Sequence, residues 1–447
     1  MIDQMIYQSG VRHTLVLCLI LIAFGAAFYK VAHHPSTATF QLPASYQHDG
    51  ELKTGTLPTS DASPGFSTHF VSTQQNISTH AASLVELSDG RIRAFWFAGS
   101  REGAEDVEIR SAVFDPAKNL WGPEQSIANR EDTQRPLLRY VKKLGNPVAQ
   151  RGPDGTLWLY YVTVSLGGWA GSSITVITSS NDGTTWSPAR RLITSPFINI
   201  STLIKGTPFL YSDGTMGLPV YHEFIGKFGE LLRINSNGEI IDKQRLSSGK
   251  STLQPVMLIK SPQQALVLMR RSGSSPKRVI ATATDDAGQH WSVPAKTTLA
   301  NPDAAISGVA LPGGRILVVL NNIEDGRDAL SLVVSADGGA TWKTVYQLED
   351  QRGQPIEVAH YLQAAGESAK ATDASITDAS GYAKSAQRSK CESRICAFEF
   401  SYPYLIQARN GDFHLVYTWN RSFIKHVRFT NAWLDQRMKN NSDAQLH

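Results

Sequence analysis

The chain has 447 residues, of which 41% are hydrophobic and 18% charged, with a formal net charge of +4 at pH 7. That length holds two or three average domains or one large all-β domain, and the composition is that of a globular protein. So small a positive excess is too weak to argue for nucleic acid, and no zinc-ligand spacing, P-loop or dinucleotide fingerprint occurs, so neither a metal nor a cofactor is expected.

The first predicted element is an apolar run from Thr14 to Tyr29, preceded by Arg12 and His13 and closed by Lys30. At about 1.5 Å per residue it spans roughly 24 Å, slightly short of a bilayer core unless Lys30 snorkels. Residues 1–32 therefore read as a membrane anchor, or as a cleaved signal peptide with Gly25 and Ala27 before the cut. Both readings export the rest of the chain to the periplasm or the cell exterior, anchored in one case and secreted in the other. Residues 33–66, rich in Ser, Thr, Pro, Gly and His, are expected to form a flexible linker.

From Ser67 a simple unit repeats: an apolar stretch, a tight turn, then an apolar strand. The turns are Asp89-Gly90, Asp154-Gly155, Asp213-Gly214, Pro262 to Gln264, Gly313-Gly314 and Asn410-Gly411. Each is a hairpin signal. Three further turns share one register: Ser179-x-Asn181-x-Gly183-x-Thr185-Trp186, Thr284-x-Asp286-x-Gly288-x-His290-Trp291 and Ser335-x-Asp337-x-Gly339-x-Thr341-Trp342. Asp or Asn and Ser or Thr can bond the turn backbone, Gly supplies a positive φ, and Trp plugs the space beneath. A degenerate copy, Val113 to Trp121, follows the first unit. Six hairpins with outer partners predict an all-β, six-bladed β-propeller over residues 67–430, its inner strands around a central pocket.

Between the fifth and sixth units, residues 363–390 are almost entirely Ala, Ser, Thr, Gly, Asp and Lys. They are expected to be a mobile, low-complexity surface insertion. Cys391 and Cys396 follow; in an exported domain such a pair reads most simply as a local disulfide, with two free thiols as the alternative. Residues 431–447 are assigned as a C-terminal tail.

The three repeated turns are similar to the Asp-boxes of the sialidase-like (BNR-repeat) superfamily. That resemblance implies a pocket in which three arginines hold a substrate carboxylate, a Tyr–Glu pair supplies the nucleophile and an Asp acts as acid/base. Arginine forks match carboxylates bidentately, and a phenol needs a neighbouring base to react. The stretch Ser401-Tyr402-Pro403-Tyr404-Leu405 resembles the one carrying the nucleophile, which nominates Tyr402. The surroundings of Arg327, and the strand Leu268-Met269-Arg270-Arg271, resemble those carrying two of the arginines. Spacing leaves open whether Arg270 or Arg271 faces inward, because neighbouring strand residues face opposite ways.

The chain also departs from the pattern. His80 stands where an arginine is expected, and Gln254 where the base-providing Glu is expected. The loop Ala98 to Asp106 resembles the one bearing the acid/base, so Glu102 or Asp106 is a candidate, with Arg101 beside it as a substrate-binding residue. Tyr221, His222 and Glu223 are further candidates from the third unit. The resulting expectation is an exported sialidase-like glycoside hydrolase acting on an acidic glycan. The alternatives are a lyase of uronate-containing polysaccharides, with His80, His222, Tyr221 and Tyr402 moving protons, or a carbohydrate-binding propeller without catalysis. Oligomeric state has no signature in the sequence.

Overall fold

The computed structural model describes residues 2–32, 38–42, 63–195, 199–247, 251–353 and 355–443. Two compact units divide between Ala38 and Thr39. The first contains helix α1, Ile2–Ala32, exposed over residues 11–26. Among the described residues no helix is long and apolar enough to cross a membrane. The expected span continues past Ala26, where the side chains lie outside the described residues.

Among the described residues the second unit holds six antiparallel sheets of four or five strands, filled largely in chain order, and one small three-stranded sheet formed by Ile356–Glu357, Cys391–Glu392 and Ile395–Cys396. Their first strands are Ser78–Glu86, Lys143–Arg151, the short pair Leu203–Ile204 and Phe209–Leu210, Thr252–Ile259, Ser307–Ala310 and Phe400–Gln407. All six predicted hairpin turns join a first strand to a second; Gly90, Gly155, Gly214 and Gly411 there take φ between 79° and 92°. The first strand of the first sheet touches that of the second and that of the sixth, and the contacts pass on through the third, fourth and fifth. This is an all-β fold of antiparallel sheets, consistent with a β-propeller. The sixth sheet is completed by Phe66–Phe70, which pairs antiparallel with Phe423–Phe429. The strand before all the sheets thus closes the last one. Helix α2, Arg130–Leu137, lies between the first two sheets, with Asn129 accepting from the Asp132 amide as its cap.

The three Asp-boxes join the third and fourth strands of sheets two, four and five, and their bonding is the same each time. Ser179 Oγ donates to Asn181 Oδ1 (2.9 Å), the Gly183 amide donates to Ser179 Oγ (2.9 Å), and the Thr185 amide to Asn181 Oδ1 (2.9 Å). Thr284, Asp286, Gly288 and His290 repeat this, as do Ser335, Asp337, Gly339 and Thr341. A side chain at Gly183 would meet Trp186 at 3.0 Å with φ at +86°, so the glycine is required twice over.

Two expectations need correction. Residues 363–390 are not a mobile loop. They fold into most of a helical hairpin, α3 (Val358–Thr372) and α4 (Ala379–Lys390). Tyr361, Ala365 and Ala369 on α3, and Tyr382, Ala383 and Ala386 on α4, are buried against the fifth and sixth sheets. Small residues four apart form a stripe that lets helices approach closely, a pattern easily mistaken for low complexity. A disulfide joins Cys391 to Cys396 at the hairpin's foot. The linker is not free throughout, for Phe40 is 2% exposed and packs on Phe209 and Tyr211; residues 43–62 lie outside the described residues. The C-terminal segment forms helix α5, Asn431–Asp443, which buries Trp433 and Leu434.

One backbone feature recurs in all six of the larger sheets. At or just before each first strand, a residue other than glycine has positive φ: Ala81 (53°), Asn146 (44°), Ser201 (58°), Gln254 (51°), Asp303 (60°) and Tyr402 (55°). In four sheets the ladder shifts register there, between His80 and Ser83, Gly145 and Val148, Leu253 and Val256, and Ser401 and Tyr404. A bulge of this kind re-aims side chains at a cost of order 1–3 kcal/mol per left-handed residue. Six such turns, one per sheet, point to a shared purpose.

Candidate functional site

Residues at or beside five of those turns gather around Tyr402. Its hydroxyl accepts from Gln254 Nε2 (3.3 Å) and from Arg270 Nη1 (3.4 Å). Arg270 also donates to Gln254 Oε1 (3.2 Å), and its Nε donates to Asp303 Oδ1 (2.6 Å). Tyr221 Oη accepts from Asn146 Nδ2 (3.3 Å) and Gln254 Nε2 (3.5 Å). Asn146, Gln254, Asp303 and Tyr402 all carry the left-handed backbone. Arg271 turns the other way, donating to Pro276 O at 2.7 Å. Burial alone lowers the Arg270 pKa, but Tyr402 and Asp303 outweigh it and hold the guanidinium firmly charged.

A second cluster adjoins the first. Glu399 is buried, yet accepts from Lys390 Nζ (2.7 Å), Arg421 Nε (2.8 Å), Ser401 Oγ (2.7 Å) and Arg327 Nη1 (3.5 Å). Burial would raise its pKa; Arg421 and Lys390 first, with Arg327 behind them, reverse this and keep it ionised. Arg327 also donates to Asp303 O (2.8 Å), tying the two clusters together. Arg421 Nη1 reaches out to Glu102 Oε2 at 2.6 Å.

Two bases lie behind the tyrosine. The His80 ring is 4.2 Å from that of Tyr402, and its Nδ1 shares a 3.0 Å bond with Thr418 Oγ1. Burial, reinforced by Arg421, drops its pKa well below the usual imidazole range, so it is neutral at pH 7. Lys205 is also buried, donates to Pro403 O (3.1 Å), and lies 5.9 Å from the Tyr402 ring centre and 4.7 Å from that of Tyr404. Its burial pulls the ammonium pKa down to about 7.

Of the residues nominated from sequence, Tyr402, His80, Arg270, Arg327 and Tyr221 converge, and Glu102 joins through Arg421. Asp106 does not. Its carboxylate binds the Ser100 amide and hydroxyl, both at 2.9 Å, and serves the turn. His222 stacks on Phe228 and accepts from the Ile225 amide (3.1 Å), while Glu223 is half-buried, with a pKa raised by that burial. Arg101 and Arg421 line one cleft beside the cluster. Sequence reasoning missed Arg421, Glu399, Lys205 and Asp303. Among the described residues no three His, Cys, Asp or Glu side chains gather as a metal site.

A positively charged, partly neutralised cluster of side chains around a phenol is suited to holding an anionic ligand next to a nucleophile. Residues 90–415 match the family described as BNR repeat-like domain. No curated protein matches the chain. Among solved structures, the Hadza microbial sialidase Hz136 is similar with a TM-score of 0.57 at 16% identity, over 78% of this chain and 65% of its own. A protein of unknown function from Dyadobacter fermentans gives 0.59 at 11% identity, over 81% and 98%. A mutant of Trypanosoma rangeli sialidase displaying trans-sialidase activity gives 0.57 at 13%, over 84% and 60%. The chain thus spans less than two thirds of either sialidase's length, and at these identities the likeness is one of fold.

Proposed function

Because the chain belongs to the BNR repeat-like domain family, we propose that it is a sialidase-like glycoside hydrolase that takes an acidic glycan. The observation that carries this reading is the Tyr402 hydroxyl held 3.4 Å from the Arg270 guanidinium. Arg270 would fork the sugar carboxylate and place the anomeric carbon over the phenol. We read the six larger sheets as six propeller blades with this site at their common axis, a reading supported by the left-handed turn at the start of each and by the five of them whose residues gather there. Export through the N-terminal apolar segment belongs to the same proposal; the Cys391–Cys396 disulfide supports it, since such bonds persist in oxidising compartments.

In this reading Tyr402 Oη bonds to the anomeric carbon as the glycosidic C–O bond breaks, and Glu102 gives its proton to the departing oxygen. Water then displaces the tyrosine and returns a proton to Glu102. The phenol's own proton passes to the neutral His80 ring or to the uncharged fraction of Lys205, whose pKa is about 7, and comes home when the phenolate leaves. Gln254 touches the hydroxyl but, being an amide, cannot take that proton. This one observation favours a second reading, a pocket that binds acidic glycans without cleaving them.

The test offers the full chain sialosides and uronate polymers, and follows both free sugar and the ultraviolet absorbance of unsaturated uronate. Hydrolysis predicts free sugar without unsaturation, and a drop in kcat of at least about a hundredfold in Tyr402→Phe. Turnover that survives Tyr402→Phe rejects the mechanism. Unsaturated product points to elimination instead, and binding without turnover to the second reading.

A further inference from the structure

Beside the tyrosine, a cleft of about 420 Å³ opens between α4 and the loops of the first and sixth sheets. Arg101, Arg388, Lys390 and Arg421 line it, against the single carboxylate of Glu399. Glu399 pairs with Lys390 and Arg421 and also with Arg327, and Arg421 has Glu102 as a second partner, so both cleft cations are already engaged by carboxylates. Arg101 and Arg388 have no carboxylate within ion-pair distance among the described residues. Arg388 spends one N–H on the Asn76 carbonyl (2.9 Å), which fixes its head at the cleft wall. The wall itself is anchored, because the Asn76 amide donates to Ser385 Oγ (3.1 Å) and Ser422 Oγ donates to the Ser385 carbonyl (2.9 Å).

Two guanidiniums with no carboxylate partner among the described residues, set in a concave cleft, are the groups that would bind an oxyanion. Its floor, Glu399 and Arg421, is continuous through Arg327 with the Tyr402 pocket. We propose that this cleft is a second anion subsite, which takes a carboxylate or ester sulfate on the sugar next to the one held at Tyr402. The ligand class sharpens from an acidic sugar to an oligosaccharide with charges on neighbouring units. The assignment of the second charge to a neighbouring sugar rests on the proposed function; the cleft's affinity for an oxyanion does not.

Titration calorimetry on the full chain separates the two. The probes are a glycan with one sialyl unit, the same glycan with a second charge as either a sialyl carboxylate or a sulfate ester, and inorganic sulfate. The proposal expects one of the doubly charged glycans to bind at least about tenfold tighter than the singly charged one. It expects Arg388→Glu to bring them within about twofold while leaving the singly charged glycan's affinity unchanged, and Arg388→Lys to keep most of the preference. Equal affinities in the unaltered protein, or a preference that survives Arg388→Glu, overturn it. Failure of the central reading looks different: the singly charged glycan does not bind, while sulfate still binds and is lost in Arg388→Glu, which upholds the cleft. Sulfate binding indifferent to Arg388 removes the cleft as well.

Discussion

Tyr402 has its hydroxyl between Gln254 and Arg270 and the Lys205 ammonium behind its ring. Lys205 yields a prediction about stability. Its pKa in the fold is about 7, against roughly 10.4 in the unfolded chain. Between those values the unfolded state binds the extra proton, so this group makes the fold more stable as pH rises, by up to about 1.4 kcal/mol per pH unit. Below pH 7 both states are charged and the fold carries the whole burial penalty. Urea unfolding from pH 6 to pH 10 should show Lys205→Met more stable than the parent at pH 6, with the gap closing towards pH 10. Parallel curves would contradict this placement of the lysine. At this scale Tyr402, Arg270 and Arg327 were legible because they lie in stretches with a recognisable neighbourhood. Lys205, Glu399 and Arg421 were not, since they act through partners more than 20 residues distant or around a left-handed turn. No residue preference announces a tyrosine or a glutamine at positive φ, so the bulges that aim the site stayed hidden.

The helical hairpin shows what composition conceals at the scale of an element. Residues 363–390 read as structureless because alanine and serine carry little hydrophobic signal, yet Ala365, Ala369, Ala383 and Ala386 are all buried. Tyr382 stacks on Phe423 at 4.2 Å, tying α4 to the sixth sheet. A stripe of small residues leaves no room, so Ala386→Leu should overpack the contact and lower the urea midpoint by the equivalent of about 1–3 kcal/mol. An unchanged midpoint would mean that the segment is the loose loop its composition suggests. The Asp-boxes were the reverse case: every bond their sequence pattern implies is present, because each lies within a few residues of its partner.

Across the whole molecule, local signals located the hairpin turns and hence the six sheets, but not the closure. Phe66–Phe70 pairs with a strand more than 350 residues away, and Phe70 is buried against Trp419 and Phe423. Contacts between neighbouring sheets bring residues from separate sheets to one place. Asn146 comes from the second, Gln254 and Arg270 from the fourth, Asp303 from the approach to the fifth and Tyr402 from the sixth. The central claim is that they form one pocket in which an acidic sugar meets the Tyr402 oxygen. The most direct test incubates the full chain with a sialosyl fluoride bearing a second fluorine beside the anomeric carbon, which lets fluoride leave but slows release of the sugar. Mass spectrometry should find one sugar bound to the peptide containing Tyr402, and none in Tyr402→Phe. A protein that binds the compound yet carries no adduct, or carries it on another peptide, would contradict the account.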